Sequence, residues 1–137
     1  MHCVLLVRKR LNKKSPQVVS ILRMSIVILD DQLGLAETLA LSLRMAGYSA
    51  RGFTHPQEAL AALQPEDTLV TDYHMPEMTG LEVARQAYAQ GWRGPLLVMS
   101  GYSTTIREII AHPLLVAVLD KPFSAQTLVE SLPISIK

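Results

Sequence analysis

Residues 71–80 read TDYHMPEMTG, and they follow a short apolar run, TLV, at residues 68–70. The apolar run predicts the end of a buried strand. The proline and the glycine inside the stretch predict a loop, and a helical pattern begins at Leu81. Asp72 therefore lies where a strand passes into a loop, which is where open α/β sheets place their ligand sites.

The composition is that of one globular domain. The chain has 137 residues, of which 49% are hydrophobic and 18% are charged, so it can bury a core of ordinary size. Cys3 is the single cysteine, which excludes an intramolecular disulfide and fits a reducing, cytoplasmic location. No apolar run approaches the roughly 20 residues that a membrane-spanning helix needs.

The charges divide the chain into two unlike parts. Residues 1–24 hold six Lys or Arg and no acid, whereas residues 25–137 hold seven Lys or Arg against all twelve acids, a net charge of −5. Met24 directly precedes the first predicted strand and is an alternative start. We therefore predict a basic, poorly ordered extension at 1–24 and one domain at 25–137. A basic arm at residues 8–14 that binds nucleic acid is the disfavoured alternative.

Five apolar runs alternate with five helical patterns. The predicted strands cover residues 25–29, 48–53, 68–71, 95–99 and 114–119. The predicted helices cover residues 32–46, 54–63, 81–91, 104–111 and 124–132. Short loops between the elements imply right-handed βαβ crossovers, so the pattern predicts an α/β fold with a doubly wound, five-stranded parallel sheet and flanking helices.

Three predicted helices begin with residues that can cap them. Thr79 and Ser124 are suitable caps because a hydroxyl can accept a hydrogen bond from a free backbone N–H group. The sequence THPQ at residues 54–57 has the form of a capping box, so we expect the helix that follows to begin with one.

Polar side chains follow four of the five predicted strands, at the point where each strand ends. Asp30 and Asp31 follow the first strand, Asp72 the third, Ser100 the fourth and Lys121 the fifth. Because the carboxyl ends of parallel strands share one edge of a sheet, we expect these side chains to meet. Neighbouring carboxylates raise one another's pKa or need a counter-charge. Oxygen ligands without cysteine favour Mg²⁺ as that counter-charge.

The cluster can support phosphoryl transfer. The Asp72 carboxylate can attack phosphorus and form an aspartyl phosphate, and Mg²⁺, Ser100 and Lys121 can stabilise charge on the transferred oxygens. Taken singly, each residue has a plainer interpretation, such as a helix-terminal charge, a turn hydroxyl or a solvated lysine. Their shared position at one edge favours the joint, functional interpretation.

The motif D-x-x-M-P-x-M-x-G at residues 72–80 resembles the response-regulator receiver domain of two-component signalling. The pair Asp30–Asp31, the sequence SG at 100–101 and the sequence KPF at 121–123 also match that family, and the resemblance extends over residues 25–132. It implies the flavodoxin-like receiver fold. A peptide bond before proline at 121–122 is often cis in this family.

The resemblance also implies roles for the site residues. Asp72 would accept a phosphoryl group from the phosphohistidine of a sensor histidine kinase or a phosphotransfer protein. Asp31 and Asp72 would bind Mg²⁺ through their side chains, Asp30 directly or through water, and His74 through its backbone carbonyl. The side chains of His74 and Tyr102 would modulate the rate of dephosphorylation.

Two departures from the family concern output rather than chemistry. Receivers typically carry an aromatic residue three positions before the lysine, where this chain has Val118. They also carry a small-Gly-small turn before the last strand, where this chain has AHP at residues 111–113. We therefore expect the coupling between Ser100 and the surface around the last strand to be altered or weak.

The resulting hypothesis is a phosphoacceptor that catalyses only its own phosphorylation and dephosphorylation. It would have no attached output domain and would signal by contact with a downstream protein, with a second copy of the chain as a further candidate partner. The alternatives are a receiver fragment of a hybrid kinase, a phosphorelay intermediate or phosphate sink, and a small-substrate phosphatase that forms an aspartyl phosphate. Neither a membrane nor a nucleic acid is an expected partner.

Overall fold

The computed structural model describes residues 4–6, 25–32, 34–101 and 106–133. The strands are β1 (Val4–Leu6), β2 (Ser25–Leu29), β3 (Ser49–Phe53), β4 (Thr68–Asp72), β5 (Leu96–Ser100) and β6 (Leu115–Asp120). The helices are α1 (Leu35–Met45), α2 (Pro56–Ala62), α3 (Gly80–Ala89), α4 (Ile106–Ile110) and α5 (Ala125–Ser131). All five predicted strands are confirmed to within one residue at each end. No helix in these ranges is long and apolar enough to cross a membrane.

The strands form one sheet in the order β1-β6-β5-β4-β2-β3. Strands β2 to β6 pair only in parallel with one another, which confirms the doubly wound, five-stranded parallel sheet. Their carboxyl ends therefore lie along one edge of the sheet. The connection from β2 leads toward one edge of the sheet and the connection from β4 leads toward the other. The boundary between these two strands is therefore the switch point at which open sheets of this order hold their ligands.

Apolar side chains cover both faces of the sheet, because successive residues of a strand point to opposite faces. Val27 and Leu29 pack in one core layer with residues of α2, α3 and α4. Ile26 and Ile28 pack in the other layer with residues of α1 and α5. Every residue of β4 and β5 is buried, as expected for central strands covered on both sides.

Two of the three predicted helix caps are confirmed. The Thr79 hydroxyl accepts a hydrogen bond from the Glu82 N–H group, and the Ser124 hydroxyl accepts one from the Thr127 N–H group. The capping box expected at residues 54–57 is wrong: the N-cap residue is His55, and its side chain makes no capping hydrogen bond. Pro56 is the first residue of α2, and proline has no N–H group to cap while its ring already holds a helical φ angle.

Strand β1 was not expected from the sequence. It pairs antiparallel with β6, the last parallel strand, with Leu5 opposite Val118. The pairing covers an edge of the sheet that would otherwise present free backbone donors and acceptors. Residues 7–24 lie outside the described ranges, so the poorly ordered extension and the domain boundary at residue 25 stay predictions.

Replacing Leu5 by proline is expected to uncover this edge. The Lys121 N–H group donates to the Ser100 carbonyl of β5, so by strand alternation the backbone groups of Val118 face β1. Proline has no N–H group to donate in return. The Val118 amide should then exchange with deuterium faster in Leu5→Pro than in the wild type.

Val98, in the middle of β5, supplies the internal control for the same exchange measurement. Its amide lies between two parallel neighbours and should exchange at an unchanged rate. Equal exchange of the Val118 amide in both proteins would show that β1 does not protect β6 in solution.

Candidate functional site

A buried ion pair joins the ends of β2 and β6. Asp30 is 0% exposed, and its Oδ2 atom lies 2.8 Å from the Nζ atom of Lys121. Its Oδ1 atom accepts a hydrogen bond of 2.9 Å from the Gln32 N–H group. Because a buried carboxylate is costly unless it is paired and hydrogen-bonded, these two contacts account for the burial of Asp30.

Lys121 also contacts Asp72. The Asp72 side chain leaves the last residue of β4 and is almost buried, and its Oδ2 atom lies 3.3 Å from Lys121 Nζ. The backbone N–H group of Lys121 donates to the Ser100 carbonyl, which holds the start of the last loop against the end of β5. The peptide bond between Lys121 and Pro122 is cis, as the resemblance implied.

Three carboxylates meet beside this lysine. One carboxylate oxygen from each of Asp30, Asp31 and Asp72 lies within 4.8 Å of the others, which confirms the predicted convergence. Asp31 is exposed, so the cluster opens to solvent on its side. The donor set fits Mg²⁺, because this ion prefers hard oxygen ligands such as carboxylates and keeps several waters.

Burial and mutual charge shape the acid–base properties of the site. Burial raises the pKa of Asp72 above its ordinary value; Lys121 opposes the rise, and Asp30 and Asp31 add to it. Burial also lowers the pKa of Lys121, but its hydrogen bond to Asp30 and the charges of Asp72 and Asp30 outweigh that effect and raise it. The lysine is therefore a cation at neutral pH, as its predicted role toward phosphate oxygens requires.

Ser100 and His74 flank the cluster. Ser100 is the last residue of β5 and is buried, one position beyond the residue that pairs with Asp72. His74 is exposed two positions after Asp72, with its ring edge-on to that of Tyr73 at a centroid distance of 4.8 Å. Tyr102 lies outside the described residues. The individual roles assigned to these side chains stay predictions.

Gly80 packs directly against the backbone of Asp72. Its N–H group donates a hydrogen bond of 2.8 Å to the carbonyl of Tyr73. A Cβ atom at position 80 would overlap the carbonyl oxygen of Asp72, so only glycine allows the first turn of α3 to approach so closely. The sequence indicated a loop-shaping glycine here, but not that it touches the residue beside the acid.

Tyr73 is the residue that sequence reasoning missed. It follows Asp72 directly, yet its side chain is 6% exposed and belongs to the core layer that includes Val118 and Ile109. An aromatic residue beside the strand-end aspartate was the available signal. Tyr73 falls in the predicted loop because the apolar run ends before it.

A family model described as the response regulator receiver domain matches residues 26–133. Among solved structures, the chain is similar to the chemotaxis protein CheY4 of Vibrio cholerae, with a TM-score of 0.70 and 25% identity. That similarity covers 80% of this chain and 95% of the other. The receiver domain of the hybrid histidine kinase CckA is also similar, with a TM-score of 0.62 and 25% identity over 77% of this chain and 93% of that one.

Curated relatives are longer than the matched region. The response regulator MprA of Mycobacterium avium is 34% identical over 88 residues, which are 63% of this chain and 39% of that protein. The C4-dicarboxylate transport transcriptional regulatory protein DctD of Rhizobium meliloti is 28% identical over 110 residues, 78% of this chain and 24% of that protein. The chain thus spans less than half the length of either relative.

Replacing Gly80 by alanine is expected to destabilise the fold by about 1–3 kcal/mol, because the new methyl group overlaps backbone that cannot move aside. Gly101→Ala is the matched control, since a Cβ atom there meets no atom within 4 Å. Urea unfolding of the three proteins measures the difference. A Gly80→Ala protein as stable as the control would contradict the close packing.

Replacing Asp72 by asparagine is expected to raise the midpoint of thermal unfolding at neutral pH when EDTA removes divalent cations. The raised pKa of Asp72 means that its ionised form is less favourable in the folded than in the unfolded chain. This cost is fully present above the folded pKa and disappears as the pH falls to the ordinary value of 3.8.

The two unfolding midpoints should therefore converge as the solution is acidified. Asp31→Asn, which removes an exposed carboxylate, is the control and should change the midpoint less. A wild type that is more stable than Asp72→Asn at neutral pH in EDTA would show that the contact with Lys121 outweighs burial.

Proposed function

Because this chain belongs to the family of response regulator receiver domains, we propose that Asp72 accepts a phosphoryl group with the help of Lys121 and Ser100. The donor would be a phosphohistidine of a sensor histidine kinase or a phosphotransfer protein. The observation that carries the proposal is the contact of one lysine with two carboxylates at the edge where the strands end. A phosphoacceptor needs this combination of a nucleophilic oxygen and a fixed cation.

In the transfer, an Asp72 oxygen forms a bond to phosphorus as the bond between phosphorus and the histidine nitrogen breaks. The electron pair of the broken bond stays on the imidazole, which takes up a proton, and the product is an acyl phosphate. Asp72 must be ionised to attack, and Lys121 favours that form by its charge. The few exposed atoms of Asp72 confine the attack to the open side of the cluster.

Lys121 has a second task once the phosphoryl group is in place. Its ammonium is held by Asp30 at 2.8 Å, so it stays at the site when the Asp72 carboxylate becomes an acyl phosphate. It can then contact a phosphoryl oxygen instead of a carboxylate oxygen. We assign Ser100 a parallel role as a hydroxyl donor from the end of β5, which its position beside the Asp72 pairing partner supports.

Asp31 and Asp72 would hold Mg²⁺ through their side chains, Asp30 directly or through water, and His74 through its backbone carbonyl. When bound there, the ion supplies positive charge against the phosphoryl oxygens and offsets the repulsion between the carboxylates. Asp31 is exposed and makes the site accessible to the ion from solvent. The ring of His74 is exposed, and we propose that it modulates the access of water to the acyl phosphate, together with Tyr102.

We infer that the signal leaves by protein contact in the cytoplasm. Family relatives include the receiver domain of a hybrid kinase and regulators longer than the match, so a phosphorelay role, a phosphate sink and a receiver within a longer protein are variants of the same chemistry. A small-substrate phosphatase receives no support from the family match.

Incubation with acetyl phosphate and Mg²⁺, followed by intact mass measurement, tests the proposal. We expect one added phosphoryl group on the wild type and none on Asp72→Asn, because the amide cannot attack phosphorus. Asp67→Asn is the matched control: Asp67 is also a buried aspartate, but it precedes β4 and so lies at the opposite edge of the sheet. It should be labelled like the wild type.

Omission of Mg²⁺ should reduce labelling of the wild type and of Asp67→Asn alike, because the carboxylates then repel the incoming phosphoryl oxygens. Labelling of Asp72→Asn equal to that of the wild type would exclude Asp72 as the acceptor.

A further inference from the structure

The backbone of Tyr73 links three parts of the site. Its N–H group donates a hydrogen bond of 2.8 Å to the carbonyl of Met99, the residue before Ser100. Its carbonyl accepts a hydrogen bond of 2.8 Å from Gly80, the first residue of α3. Asp72 itself is the preceding residue. A displacement of Asp72 or of the end of β5 therefore acts directly on Tyr73.

The side chain of Tyr73 points away from the acid cluster into the core. It is buried in the layer that contains Val118 of β6 and Ile109 of α4. Interiors of this kind are packed at the density of organic crystals, so a ring cannot shift without moving its neighbours. The ring thus connects the phosphoacceptor to the face of the sheet covered by α3 and α4.

The hydroxyl group of Tyr73 makes a specific contact with α3. It interacts with the side chain of Thr79, whose hydroxyl caps α3 by accepting from the Glu82 N–H group at 3.1 Å. Glu82 in turn accepts from the Thr79 N–H group at 2.8 Å. Burial and the nearby carboxylate of Glu108 in α4 raise the pKa of Tyr73, so its hydroxyl keeps its proton.

We propose that Tyr73 is a positioning residue that transmits the state of the Asp72 site to the first turn of α3 and to α4. This inference rests on the proposed phosphorylation of Asp72. Phosphorylation changes the charge and the contacts of Asp72, and the two backbone hydrogen bonds carry the displacement to the ring. The hydroxyl then acts on the Thr79–Glu82 cap, and the ring acts on Ile109. The exposed surface of α3 and α4 becomes the part of the molecule that changes.

A purely structural role for Tyr73 makes a different prediction. A core tyrosine with a satisfied hydroxyl stabilises the fold equally in both states, so its replacement lowers stability without altering the response. A residue that transmits the change makes a contact that differs between the unphosphorylated and the phosphorylated state. Losing such a contact changes the balance between the states by about fivefold.

Fluorine NMR of the full chain labelled with 3-fluorotyrosine is the first test. The chain has four tyrosines, and the variants Tyr73→Phe and Tyr88→Phe assign two of the resonances by their loss. Beryllofluoride with Mg²⁺ serves as the stable phosphoryl mimic. We expect the Tyr73 resonance to shift on addition of the mimic and the Tyr88 resonance, which belongs to the last turn of α3, to shift less.

Backbone amide shifts of Tyr73→Phe are the second test. In the wild type, the mimic should shift the amides of Asp31 and Lys121 at the site and those of Glu82 and Ile109 beyond it. In Tyr73→Phe, which keeps the ring, we expect the site shifts to persist and the shifts of Glu82 and Ile109 to fall. Tyr88→Phe is the matched control, because it also removes one hydroxyl from this face and should leave all four responses intact.

The outcomes separate the inference from its premise. Site amides that respond while the Tyr73 resonance stays fixed, or equal responses of Glu82 and Ile109 in Tyr73→Phe and the wild type, would overturn the relay and leave phosphorylation standing. A wild type whose Asp31 and Lys121 amides do not respond and whose mass does not change with acetyl phosphate would overturn both.

Discussion

The ion pair between Asp30 and Lys121 is the interaction on which the rest of the site depends. Strands β4 and β5 lie between the strands that precede these residues, so the side chains bridge backbones about 14 Å apart, three strand spacings. The long lysine side chain crosses the end of the sheet and passes within 3.3 Å of Asp72. Leaving the buried Asp30 charge unpaired would cost about 3–5 kcal/mol, so the fold itself holds the ammonium beside Asp72.

The convergence of the site residues could be predicted from the sequence, because it follows from strand direction alone. Asp30, Asp72, Ser100 and Lys121 each follow an apolar run, and parallel strands bring all their carboxyl ends to one edge. Which carboxylate lies closest to Lys121 could not be predicted. That Lys121 lies closer to Asp30 than to Asp72 depends on the depth of each carboxylate below the surface, which no spacing in the sequence records.

The features that sequence reasoning missed depend on contacts between distant or unlike elements. Strand β1 has only three residues, too few for a periodic pattern, and it forms by pairing with the edge strand β6. Tyr73 lies beyond the apolar run of β4, and its burial comes from residues of other elements that close over it. The contact of Gly80 with Asp72 reflects how closely α3 approaches the loop, whereas the sequence shows only that the loop contains a glycine.

The pairing of β6 on both sides limits how a structural change at Asp72 can be transmitted. Parallel pairing with β5 holds one side of this strand, and antiparallel pairing with β1 holds the other. Val118, at the position where the family carries an aromatic residue, is 2% exposed and paired with Leu5, so neither its side chain nor its backbone is free to move to the surface. A displacement of β6 would break backbone hydrogen bonds on both sides. Residues 74–79, in the loop after β4, belong to no strand and so lack such a ladder. Tyr73, held by hydrogen bonds to Met99 and Gly80, connects that loop to α3 and α4. The proposed phosphorylation of Asp72 and the constraint on β6 would therefore direct the response toward the face that carries α3 and α4.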